Sequence, residues 1–104
     1  MDCYSVDQIY IGPYTVVSQY SFLCTASHDY TAPAMPLTTA PITLGERVWV
    51  TADVFIALGV TIGDGAVITA RSSIFHDIEP WIVAGGNPAQ SVKPRVLHHS
   101  QYSE

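Results

Sequence analysis

The spacing of apolar residues predicts an all-β chain folded as a parallel β-solenoid. Three observations carry that expectation. Leu44, Val50, Ile56, Ile62, Ile68 and Ile74 recur every six residues without a slip. A second series, Val48, Val54, Val60, Ala66, Ser72 and Ile78, keeps the same period with side chains that are small or mostly β-branched. Gly45, Gly59, Gly63 and Gly65, with Asp53 and Asp64, supply turn-prone residues between the apolar positions. An α-helix cannot use a period of six, because at 3.6 residues per turn positions six apart rotate off one face by about 120° at each step. Short strands joined by corners can. Three such sides close one turn of a coil, and successive turns stack about 4.8 Å apart through backbone hydrogen bonds along the axis. A β-sandwich or a mixed α/β domain would not hold the period over this length.

Taken in chain order, Ile11, Val17 and Leu23 open the first series, and Thr15, Ser21 and Ser27 the second, so the first coils are expected over about 5–28. From Leu23 to Leu44 the gap is 21 rather than 18 residues, so the register is expected to resume three residues late, after an excursion. The stretch "HDYTAPAMPLTTAP" carries Pro33, Pro36 and Pro41 with no alternation, which reads as a loop over 29–41 leaving the coils beside His28. The coils then occupy 44–79. In "EPWIVAGGNPAQSVKPR" the period breaks at Pro80, Gly85, Gly86 and Pro88. The solenoid is expected to stop there, with Trp81 over its open end. An irregular cap over 80–104 is expected to follow, with a short helical turn near 88–92. The whole chain, 1–104, reads as one domain.

Composition narrows the function. Four Lys and Arg against nine Asp and Glu leave a net charge of −5, which suits neither a nucleic-acid duplex nor an anionic membrane. With 104 residues, 48% hydrophobic and 12% charged, the chain has a small core and surface that wants covering, so a globular oligomer is expected. No apolar run reaches the roughly 18 residues of a membrane-spanning helix, and "MDCYSVDQ" lacks the basic start of a signal peptide, so the cytoplasm is the expected location. Cys3 and Cys24 form no CxxC pair, and Cys24 reads as a small buried hydrophobe.

Three motifs taken together, "VSQYSFLCTASHDY", "APITLGERVWVTADVFIALGVTIGDGAVITARSSI" and "PWIVAGGNPAQSVKPR", resemble the hexapeptide-repeat acyltransferases. The resemblance is strongest to the sugar O-acetyltransferases of colanic acid and other exopolysaccharide synthesis, and it covers nearly the whole chain. It implies a left-handed coil, where the general rule for parallel crossovers favours the right-handed one. It also implies a homotrimer with active sites between adjacent subunits, acetyl-CoA as acyl donor without a metal, and a saccharide or similar small hydroxylated acceptor. Relatives of this branch carry earlier N-terminal coils that the chain is expected to lack.

Read from its residues alone, His28 is a corner histidine bonded to backbone. On the family pattern it falls at the catalytic histidine, a general base that takes the acceptor hydroxyl's proton as the oxygen attacks the thioester. No covalent intermediate is implied, so Ser27 and Cys24 read as packing residues. The resemblance places Ala52 and Ala70 along the pantetheine arm, Phe75 and His76 at its outer part, and Lys93 and Arg95 at the phosphates. Relatives commonly carry Lys or Arg where this chain has His76. Gly85 and Gly86 could present amides to the cofactor or simply turn the chain, and Lys93 with Arg95 could equally be a solvated tail. Trp49 is expected to face the groove, Tyr30 to bound the acceptor site, and Asp7, one coil below the histidine, to assist it.

Two other readings remain at this point. One is a truncated trimeric solenoid that binds CoA or a partner without turnover, which the missing coils would favour. The other is a zinc solenoid of the carbonic-anhydrase kind, which needs three histidines at a metal. His28, His76, His98 and His99 show no ligand spacing within the coils.

Overall fold

The computed structural model describes residues 2–4 and 6–97. His98 and His99, and the end of the expected cap, lie outside the described residues. Among the described residues the chain forms strands and no helix, wound into four coils of three sides. The first coil runs through β1 (Asp2–Tyr4), β2 (Ile9–Ile11) and β3 (Val16–Val17). The second starts at β4 (Phe22–Cys24), leaves the prism as a hairpin of β5 (Ala26–His28) and β6 (Leu37–Thr39), and returns at β7 (Ile42–Leu44) and β8 (Trp49–Val50). The third comprises β9 (Phe55–Ile56), β10 (Thr61–Ile62) and β11 (Val67–Ile68). The fourth comprises β12 (Ser73–Ile74), a single bridge at Ile78, and β13 (Ile82–Gly86), after which β14 (Ala89–Pro94) turns back antiparallel on β13.

Stacking of like sides makes three parallel faces. The first face stacks β1, β4, β9 and β12. The second stacks β2, β7 and β10 and ends at the Ile78 bridge. The third stacks β3, β8, β11 and β13, with β14 at its edge. Vertical columns such as Leu23, Ile56 and Ile74, or Val17, Val50, Ile68 and Ala84, follow directly from the strand registers. The first aliphatic series fills the interior: Leu44, Val50, Ile56, Ile62, Ile68 and Ile74 are all essentially inaccessible, and Val48, Val54, Val60, Ala66 and Ser72 join them. Hydroxyls inside the prism tie coils together. Ser21 Oγ donates to the Thr51 carbonyl at 2.8 Å and accepts the Val54 amide at 3.2 Å, so its burial leaves no orphaned group.

Several sequence expectations change here. Leu23 and Leu44 sit on adjacent sides of one coil, since Leu23 stacks on Ile56 while Leu44 stacks on Ile11. The excursion therefore inserts fifteen residues into a six-residue side (21 less 6), which a count against an eighteen-residue turn mistakes for a slip of three. Within 29–41, the Leu37–Thr39 strand pairs antiparallel with β5, despite the prolines around it, so the segment is a hairpin and Ser27 on it faces outward. Ile78 stacks on Ile62, a first-series position, because the side leading to it is two residues short. The solenoid continues past 79, with Val83 and Ala84 paired in parallel to Val67 and Ile68. The expected helical turn at 88–92 is instead strand β14, whose backbone satisfies the edge of β13. Cys24 is half-buried, its thiol donating to the Ala26 carbonyl at 3.1 Å.

The corners use a left-handed backbone, and again the period is six: Arg47, Asp53, Gly59, Gly65 and Arg71 all have positive φ, as do Tyr14, Tyr20 and Trp81. Gly63 is not among them; it is small because a Cβ there would lie 2.5 Å from Pro80 N in the next coil. Trp81 does not cover the end. It packs face-on over Gly65 at the corner between the second and third faces, with the Arg95 guanidinium 5.6 Å from its ring centroid.

Candidate active site

The hairpin that carries His28 is built by its own backbone. Asp29 N donates to the Pro36 carbonyl at 2.9 Å, and Met35 N donates to the Ala32 carbonyl at 2.9 Å. The Asp29 carboxylate closes the turn by accepting both the amide and the hydroxyl of Thr31. Those two bonds, the hydroxyl's first, hold the Asp29 carboxyl below its ordinary value of 3.8. Met35, a non-glycine residue at φ 47°, turns its carbonyl onto His28 Nδ1 at 2.9 Å. A carbonyl only accepts, so Nδ1 carries a hydrogen, and in the neutral imidazole the lone pair is then on Nε2. The imidazole is exposed, with its Nδ1 engaged by the hairpin.

A second feature lies on the third face and its corner with the first. A groove of about 820 Å³ is lined by Ser18, Trp49, Thr51, Ala52, Thr69 and Ala70, among others. These are stacked positions: Ser18, Thr51 and Thr69 form one column and Ala52 and Ala70 the next, as the bonds from Thr51 N to Ile68 O and from Arg71 N to Ala52 O require. Gly85 and Gly86 continue the two columns in the fourth coil. A Cβ at Gly85 would meet Thr69 Oγ1, and Gly86 N donates to Ser72 Oγ at 3.0 Å. Among the described residues, the Ala52 and Ala70 amides donate to nothing within the chain. Trp49 forms a wall, its ring half-exposed and its Nε1 donating to Ser18 Oγ at 3.2 Å.

The expected site residues thus fall into separate groups. His28, Tyr30, Phe75, His76 and Asp7 lie between the first and second faces. Asp7 follows β1 and donates its amide to Thr25 Oγ1, three residues before His28. Phe75 packs against Phe55 with ring centroids 6.0 Å apart and planes tilted by 46°. Trp49, Ala52, Ala70, Gly85 and Gly86 share the groove and its continuation. Lys93 and Arg95 line neither: Lys93 pairs with Val83, and Arg95 Nη1 donates to the Arg47 and Gly65 carbonyls at 2.8 and 2.9 Å. Arg95 is therefore anchored structure and no solvated tail. No group of three His, Cys, Asp or Glu converges as a metal site among the described residues.

Residue reading missed Met35, Asp29, Thr51 and Thr69. The threonines were findable, since each follows an interior valine or isoleucine by one position in successive coils. Met35 was not, because its role depends on a carbonyl placed by the hairpin.

No protein-family model matches the chain. WcaF of Escherichia coli K12, whose name assigns it an acetyltransferase role in colanic acid biosynthesis, is 45% identical over 96 residues, 92% of this chain and 53% of WcaF. A hexapeptide-repeat acetyltransferase of Vibrio cholerae O1 biovar eltor, solved with acetyl-coenzyme A, superposes with a TM-score of 0.84 at 29% identity. That match covers 88% of this chain and 52% of the other. In sequence the chain is thus similar to WcaF, and in fold to a hexapeptide-repeat acetyltransferase. A galactoside acetyltransferase solved with coenzyme A fits as well, with a TM-score of 0.84 at 30% identity over 88% of this chain and 48% of that one. The chain spans about half the length of these relatives.

Proposed function

We propose that the chain forms a left-handed hexapeptide-repeat solenoid that assembles as a homotrimer and transfers acetyl from acetyl-CoA to a hydroxyl of a saccharide or similar small acceptor. The carrying observation is the His28 Nδ1 bond to the Met35 carbonyl, which leaves Nε2 as a positioned base. His28 Nε2 takes the proton of the acceptor hydroxyl as its oxygen attacks the thioester carbonyl. The C–S bond then breaks, the same proton passes from Nε2 to the departing sulfur, and an ester and free CoA result. Ala52 and Ala70 suit the pantetheine arm, because they are small and their amides are available for its carbonyls. Trp49 supplies a wall beside the arm. Acetyl-CoA is made in the cytoplasm, where this activity would operate.

The histidine and the groove occupy different corners of one prism, so a site that uses both draws them from two subunits. Subunit mixing tests this. His28→Ala and Ala70→Trp chains, each inactive alone, are refolded together, and thiol release from acetyl-CoA is followed with a saccharide acceptor. Random trimers would recover about a quarter of wild-type activity, because each mixed trimer contains one complete interface. No recovery in verified mixed trimers would refute a site shared between subunits.

A further inference from the structure

We infer that Arg71 is the residue of the groove that meets the phosphates of the acyl donor. This rests on the donor being acetyl-CoA, as proposed above. The observation is positional. Tyr20, Asp53 and Arg71 stack as a column at the corner next to Ala52 and Ala70, all with positive φ, and together with those two alanines they line a second cavity of about 490 Å³. The two cavities share Ala52 and Ala70, so they form one continuous channel, with an apolar Trp49 end and a charged Arg71 end. A donor with an uncharged arm and an anionic nucleotide end has the same polarity.

Among the described residues, Arg71 is also the one cation that lines these two cavities. Arg47 and Arg95 line a neighbouring cavity on the far side of Trp49, where Arg47 stacks on Tyr14 at 4.8 Å and Arg95 is tied to two carbonyls, and Lys93 lies on β14. The Arg71 side chain is 86% exposed and meets Asp53 only at 3.9 Å, an ion pair too open to contribute much and easily exchanged for a phosphate. A guanidinium can grip two phosphate oxygens at once, which a loosely held carboxylate cannot outcompete. Asp53 then acts against binding, both by holding Arg71 and by repelling the anion.

Calorimetric titration with CoA and with pantetheine, which has the arm but no phosphate, tests the assignment in wild type and in Arg71→Gln, Asp53→Asn and Lys93→Gln. Arg71→Gln is expected to weaken CoA binding about tenfold while leaving pantetheine unchanged, and Asp53→Asn to tighten CoA about threefold. Lys93→Gln is expected to bind like wild type. Equal CoA affinity in wild type and Arg71→Gln overturns the inference alone. So does equal loss of CoA and pantetheine, which marks a packing defect. A wild-type protein that binds neither compound overturns the proposed donor together with it.

Discussion

Ile62 and Ile11 sit in one column of the second face, on either side of Leu44, yet only Ile62 is sealed from solvent, while Ile11 is 43% exposed. Replacing Ile62 with alanine removes a side chain packed between Leu44 and Ile78 in a ladder whose spacing is held by backbone hydrogen bonds. The walls cannot collapse into the space. The cost should therefore lie in the upper part of the range for such truncations, about 3–5 kcal/mol. Ile11→Ala lies at the first coil, with a neighbour on one side only, and should cost less than about 1 kcal/mol. Urea unfolding at fixed protein concentration measures both, because the proposed trimer would make apparent stability concentration-dependent. With a slope of about 1.5 kcal/mol/M, the midpoint should fall by about 2–3 M for Ile62→Ala and by well under 1 M for Ile11→Ala. Equal midpoints for the two variants would refute the assigned column and the argument from stacked sides.

Other consequences follow from the corners and the hairpin. Gly65→Ala should cost about 2–4 kcal/mol, combining left-handed backbone strain at φ 72° with a Cβ 2.4 Å from the Trp81 ring, and thermal melting should show it. Gly59→Ala at φ 76° has only Ala40 Cβ at 3.4 Å, so it should cost about 1–2 kcal/mol. The Asp29 carboxyl, followed by NMR, should titrate with a midpoint below 3.8, and Thr31→Val should move it back upward. Because the folded value is the depressed one, the turn's contribution to stability is present above the unfolded value and disappears as pH falls through the folded one. A midpoint at or above 3.8 in wild type would contradict the Asp29 to Thr31 contacts.

Much of this fold was legible because its core obeys a single period. The interior residues from Leu44 to Ile74 read directly from spacing, since every sixth side chain must point into a prism too narrow for anything but aliphatic or small groups. What failed were the places where the period is interrupted. The insertion after Cys24 is fifteen residues long, so Leu44 falls three positions beyond an eighteen-residue turn from Leu23 and the insertion reads as a small slip. The short side before Ile78 and the strand β14 are set by pairing partners that no local pattern names. The site shows the same division. His28 was visible as a residue type at a corner, and Ala52 and Ala70 through the resemblance to the hexapeptide-repeat acyltransferases. The Met35 carbonyl, which gives the histidine its tautomer, was invisible, because any residue has a carbonyl and only the hairpin aims this one.

The role proposed for His28 is that of the base for acetyl transfer. Its most direct test is His28→Ala, with trimer state, CoA binding and thiol release measured on the same preparation. The variant should keep the oligomeric state of wild type and bind CoA like it while turnover falls by about 10²–10⁴-fold. Turnover equal to wild type would contradict it.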